Sequence, residues 1–136
     1  IVSSMAGLAG AAYNSTYNAV KSFEIILAEG LWHELAPDGI DVMSVVAGAM
    51  RTPSLLGTTN AAETYPHLMD PADVARGALA HLGQGPCWIP GEWNRSIARM
   101  TWPAPRPKLV NRMSEATAQI HGLEFVEVEG ADQFEG

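Results

Sequence analysis

Tyr17 and Lys21 stand four residues apart in the stretch YNSTYNAVK, residues 13–21. On a helix that spacing puts both side chains on one face, one turn from each other. A free phenol has a pKa of about 10 and exchanges protons poorly at neutral pH. A neighbouring ammonium favours the phenolate and lowers that pKa. The first turn of a helix, at the positive end of its dipole, acts in the same direction. Such a pair is suited to a tyrosine acid/base near neutral pH. By itself it is weak motif evidence, since a Tyr and a Lys at this spacing are more often a half-buried ring and a solvated amine. Its surroundings raise its weight. Ser4 lies 13 residues before Tyr17 and just past the apolar pair Ile1–Val2, with Ser3 between; the loop from Ser4 to Tyr17 carries Gly7 and Gly10, and AGAMRT follows further on.

The elements that must position these residues alternate. Ile1–Val2 reads as the end of a buried strand, and Ser3 to Asn14 as a loop of small residues. A helix is predicted from about Ser15 to Leu35, capped by Asn14 or Ser15 and stopped by Pro37 and Gly39. Its apolar stripe is read as Ala19, Val20, Phe23, Ile26, Leu27, Gly30 and Leu31. Residues 40–48, IDVMSVVAG, read as a strand covered on both faces. A second helix is expected over 70–85, with Asp70 as N-cap, Pro71 in the first turn and Gly83 at its stop. Val74, Ala78, Leu79 and Leu82 form its expected buried face. PCWIPG, 86–91, is a candidate short strand; the pattern breaks down from Glu92 to Pro107, and a last helix is expected from about Lys108 to His121. Strands alternating with helices imply an α/β fold with a parallel sheet.

Ser4, YNAVK and the later VVAGAMRTP resemble the short-chain dehydrogenase/reductase family, in the C-terminal half of its doubly wound, Rossmann-like parallel sheet. The likeness is close from Ile1 to Thr52 and looser through Gly91, and Ala47 replaces the family's usual proline. The resemblance implies an NAD(P)-dependent oxidoreductase that interconverts a carbonyl and an alcohol, with the choice between NAD and NADP left open. Tyr17 would be the acid/base, Ser4 would hold the reacting oxygen, and Lys21 would tune Tyr17 and bind the nicotinamide-ribose hydroxyls. Ser3 is the adjacent candidate, but the spacing favours Ser4. Ala47, Gly48, Ala49 and Met50 would flank the cofactor ring, and Thr52 would bond its carboxamide. Tyr13 and Met50 join Ser4 and Tyr17 as candidate substrate contacts, and Met50, Leu55 and Leu56 suit an apolar substrate. The family's long helix commonly packs on its copy in a partner subunit, so a homo-oligomer through 15–35 is expected. Alternatives are a non-enzymatic truncated module that keeps the dimerisation helix, or a family member catalysing epimerisation or dehydration.

The family's Gly-rich dinucleotide loop has no counterpart in these residues. The expected organisation is therefore residues 1–122 as the C-terminal part of one NAD(P)-binding domain, followed by an acidic, solvated or disordered tail at 123–136. Such a fragment alone is expected to fold poorly and to be inactive or nearly so. A net charge of −7, with no Lys or Arg after Arg112, argues against a nucleic-acid partner. No apolar run approaches the roughly 20 residues of a membrane span. With no basic-then-apolar leader and a single cysteine, Cys87, the expected location is the cytoplasm. Cys87 and the tryptophans at 88, 93 and 102 are read first as packing residues, and Arg51 as a surface residue. His33, His67, His81 and His121 lack metal-ligand spacing, so no metal is expected. The N-x-S/T triplets at Asn14 and Asn94 are read as coincidence.

Overall fold

A computed structural model describes residues 1–11, 13–57, 65, 67–101, 115 and 124–127. Strand β1 (Val2–Ser4) leads through a 3-10 turn (Met5–Leu8) to helix α1 (Ser15–Leu35) and a second 3-10 turn (Ala36–Asp38). Strand β2 (Ser44–Ala47), the short helix α2 (Pro53–Leu56), helix α3 (Pro71–His81), strand β3 (Cys87–Trp88) and helix α4 (Glu92–Thr101) follow. The strands form a parallel sheet in the order β1-β2-β3. Parallel neighbours need crossover connections, and α1 and α3 lie within them. The alternation expected from the sequence is the architecture observed.

Helix α1 keeps its expected limits, and Gly39 ends the turn beyond it at φ 71°, a left-handed geometry that glycine adopts without strain. Its inward face differs from the expected stripe. Asn18, Ile25, Ala28, Glu29 and Trp32 are buried, whereas Val20, Phe23, Ile26 and Leu27 are exposed. The helix is apolar on two sides, and two polar residues on the packed side hide that side from a hydrophobic pattern.

Helix α3 starts as expected. Asp70 Oδ1 accepts from the amides of Ala72 at 2.7 Å and Asp73 at 3.3 Å. Removing this cap with Asp70→Ala should lower stability by about 1 kcal/mol, read as a lower denaturation midpoint with unchanged slope. The helix ends at His81 rather than near Gly85, because Leu82 is extended and Gly83 sits at φ 85°. Its expected buried face is half right. Val74 and Ala78 pack inward, but Leu79 and Leu82 are exposed. Leu79 lies about 140° round the helix from Val74, and Leu82 falls past its end. Gly77 and His81 complete the inward face instead. A Cβ on Gly77 would stand 2.4 Å from the Trp88 ring, and the His81 and Trp88 rings stack 4.7 Å apart.

The core gathers Met43, Val45, Ala47 and Val74, with Met50, Met69, Ala78 and Trp88 against them. Both later strands are shorter than predicted, because a ladder forms only where a partner runs alongside: Val2 faces Val45, Ser4 faces Ala47, and Val45 faces Trp88. Helix α4 was not expected. The Glu92 carboxyl is held below the usual carboxylate range by hydrogen bonds first from Arg99 and then from Arg95. Asn94 is buried, with Nδ2 donating to Pro90 O at 2.7 Å, so that triplet is no exposed glycan acceptor. The helix expected over 108–121 and the tail lie outside the described residues, apart from Glu115 and residues 124–127.

Candidate functional site

In parallel α/β sheets, ligands bind beyond the carboxyl ends of the strands. Ser4 ends β1, Ala47 ends β2, and the two are register partners. The β1–α1–β2 crossover brings the start of α1 to this same edge. Seven candidates are thus gathered by topology: Ser4 on the first strand end, Ala47 and the following Gly48, Ala49 and Met50 on the second, and Tyr17 and Lys21 in the opening turns of α1. Thr52 follows and caps α2, its Oγ1 accepting from Leu55 N at 3.3 Å.

The paired serines point to opposite sides, as consecutive strand residues do. Ser3 is buried, and its hydroxyl donates to Lys21 O at 2.7 Å. Ser4 is half-buried, and its Oγ accepts from Ala6 N at 3.1 Å across the turn. That bond leaves the Ser4 hydroxyl proton and a second lone pair available. Ser3, by contrast, is a tie between β1 and the backbone of α1.

Lys21 Nζ lies 5.8 Å from the centroid of the Tyr17 ring, so the side chains share a face as the spacing requires. The ammonium has two nearer partners. It donates to Glu24 Oε2 at 2.8 Å and to Val2 O at 3.2 Å. The Tyr17 ring is about half exposed. Tyr13 is fully exposed at φ 64° and packs on none of the described residues. Met50 is half-buried and forms a parallel bridge with Met69, and Leu56 is exposed beyond it.

Sequence reasoning missed three contributors. Glu24 is an ordinary i, i+3 partner of Lys21, visible in the spacing but not singled out there. Asn18, directly after Tyr17, is buried and ties the loop to α1 through Nδ2 donating to Ala9 O at 2.8 Å. Asn94 reaches from α4 to the other strand end, where a Cβ on Gly48 would stand 2.5 Å from its amide. Gly48 is therefore glycine for packing reasons whether or not a ligand lies beside it.

The donor set fits a dinucleotide's ribose. An ammonium carries three donors, and Glu24 and Val2 take two of those on Lys21, leaving one for a sugar hydroxyl. Among the described residues, no group of three or more His, Cys, Asp or Glu side chains comes together to hold a metal ion. Nor is any helix among them long and apolar enough to cross a membrane.

Residues 1–63 match the family model described as short chain dehydrogenase. A curated relative, 7β-hydroxysteroid dehydrogenase of Clostridium sardiniense, is 25% identical over 115 residues, covering 84% of this chain and 44% of that protein. A solved structure from work on 7β-hydroxysteroid dehydrogenase stereoselectivity matches with a TM-score of 0.65 at 26% identity, over 82% of this chain and 45% of that one. The chain spans less than half the length of the relatives it matches. Its parallel sheet and crossover helices match part of a Rossmann-like fold.

Proposed function

Starting from a segment, residues 1–63, that belongs to the short chain dehydrogenase family, we propose that this chain supplies the proton-transfer half of an NAD(P)-dependent alcohol/carbonyl oxidoreductase. The observation that carries the reading is the Lys21 ammonium 5.8 Å from the Tyr17 ring at the carboxyl edge of a parallel sheet. Tyr17 gives a proton to a carbonyl oxygen, or takes one from an alcohol. Ser4 donates a hydrogen bond to that oxygen from the neighbouring strand end. Lys21 holds ribose hydroxyls, and Ala47, Gly48, Ala49, Met50 and Thr52 line the cofactor's side of the edge. The nicotinamide, when bound, supplies or accepts the hydride.

The substrate class is a bulky apolar alcohol or ketone. The relative named for 7β-hydroxysteroids supports this, as do Met50, Leu55 and Leu56 following the second strand end. The test is nicotinamide absorbance in the intact protein, with a panel of hydroxysteroids and their ketones beside short linear alcohols. Turnover should favour the ring substrates. No cofactor-dependent turnover of any alcohol or ketone would overturn the reading.

The exposed side of α1 supports the second part of the proposal, a homo-oligomer. Val20, Phe23, Ile26 and Leu27 lie together on it, and the space around Gly30, where a Cβ would stand, is open. A helix apolar on both sides is covered on both sides, and a second copy of the same helix supplies the matching surface. Phe23→Glu should convert the oligomer to a smaller species in light scattering, with circular dichroism unchanged. An unchanged mass would refute the helix as the interface.

A further inference from the structure

Lys21 does not face Tyr17 alone. Its Nζ donates to the Glu24 carboxylate at 2.8 Å and to the Val2 carbonyl at 3.2 Å, both nearer than the Tyr17 ring centroid at 5.8 Å. The Lys21 and Glu24 side chains are 19% and 25% exposed, so solvent screens this pair less than a pair on the open surface. The phenol therefore senses an ion pair rather than a lone cation. Among the described residues, few other charges compete. Val2–Ser4, Met5–Leu8 and Ser44–Ala47, all packed on α1, contain no titratable side chain. Of the remaining described neighbours, β3 brings only the Cys87 thiol, and Asp38 sits at the far end of α1, where Glu29, His33 and Glu34 also lie, with Glu124 and Glu127 on either side of the segment whose Phe125 stacks on His33.

We propose that Glu24 is a positioning residue for the Tyr17–Lys21 pair: it holds the ammonium toward Val2 and offsets part of its charge, thereby setting how strongly Lys21 acts on the phenol. The proposal rests on the acid/base reading of Tyr17 given above. With Glu24 neutral, the cluster gains one net positive charge and the ammonium is free to turn toward the phenol. Both changes favour the phenolate.

The test is Glu24→Gln in the intact protein, read in the direction of alcohol oxidation, where deprotonated Tyr17 is the required form. The rise of kcat with pH should move to lower pH than in the parent. Glu24→Asp, which keeps the charge, should return the profile close to that of the parent. A second readout needs no turnover: the phenolate absorbance assigned to Tyr17 by subtracting the Tyr17→Phe titration should appear at lower pH in the Gln background. Glu24→Ala should behave like Gln if packing at this site is unimportant, and it serves in place of Gln if Gln fails to fold. An unmoved absorbance and pH profile would overturn the proposal, as would equal shifts in Gln and Asp. Full activity of Tyr17→Phe would instead remove the acid/base reading, and the absorbance series would still report whether Glu24 controls the phenol.

Discussion

Replacing Tyr17 with phenylalanine should lower kcat of the intact protein by roughly 10²–10⁴-fold, the range expected for loss of a general acid/base. Dinucleotide affinity should change by no more than about twofold, because a group acting only in the transition state contributes to kcat rather than to ground-state binding. The structure explains why this substitution is a clean one. The ring is about half exposed, so deleting its hydroxyl leaves no cavity in the core. Lys21 stays in place, because Glu24 and Val2 hold its ammonium and neither contact involves the phenol oxygen. The ring face that Lys21 approaches at 5.8 Å is retained in phenylalanine. Loss of rate with retained binding, measured by stopped-flow turnover and by fluorescence titration of the reduced cofactor, isolates the proton transfer. Retained turnover removes Tyr17 from the chemistry.

What the sequence made legible follows from which signals are local. The Tyr17–Lys21 adjacency needs only a helix, and α1 was marked by its length and the Pro37–Gly39 stop, although Asn14 at its N-cap makes no side-chain cap bond. Asp70 announced α3 through a side chain whose bonds run to amides two and three residues on. The packed faces were harder to read. On α1 the inward side carries Asn18 and Glu29, and the outward side carries Phe23 and Ile26, so hydrophobicity favoured the wrong stripe. On α3 the inward side includes Gly77 and His81, residues that an apolar pattern ignores, chosen here by the width of the Trp88 ring. Helix α4 was hidden because its tryptophan and arginines resemble an irregular segment, although Glu92, Arg95 and Arg99 carry a helical charge pattern. The preference for Ser4 over Ser3 was read from spacing alone. The strand alternation that sends Ser3 to Lys21 O required the fold.

Gly7→Ala should be among the most damaging small substitutions in the chain. Ideal geometry places the added Cβ 2.7 Å from the Lys21 carbonyl carbon, 2.9 Å from its oxygen and 2.8 Å from Ile25 Cδ1. A methyl group does not tolerate such approaches, and two of the three atoms are helix backbone that no rotamer change can move. The Met5–Leu8 turn must therefore lift away from α1. Overpacking of this kind typically destabilises by about 1–3 kcal/mol. Lifting also stretches the bond from Ser3 Oγ to Lys21 O, now 2.7 Å, which adds about 1 kcal/mol if it breaks. The expected total is a loss of about 2–4 kcal/mol by chemical denaturation. Gly10→Ala is the control, since nothing stands within 4 Å of its would-be Cβ. It should be neutral or slightly stabilising through the restricted unfolded chain. The turn lifts from α1 at Lys21, one turn from Tyr17, and carries Ala6, whose amide holds Ser4, so Gly7→Ala should also lower kcat under conditions where the protein remains folded, whereas Gly10→Ala should not. Equal stability and equal rates in the two variants would mean that the turn does not press on α1 at Lys21, and the positional argument linking β1 to the acid/base pair would fall with it.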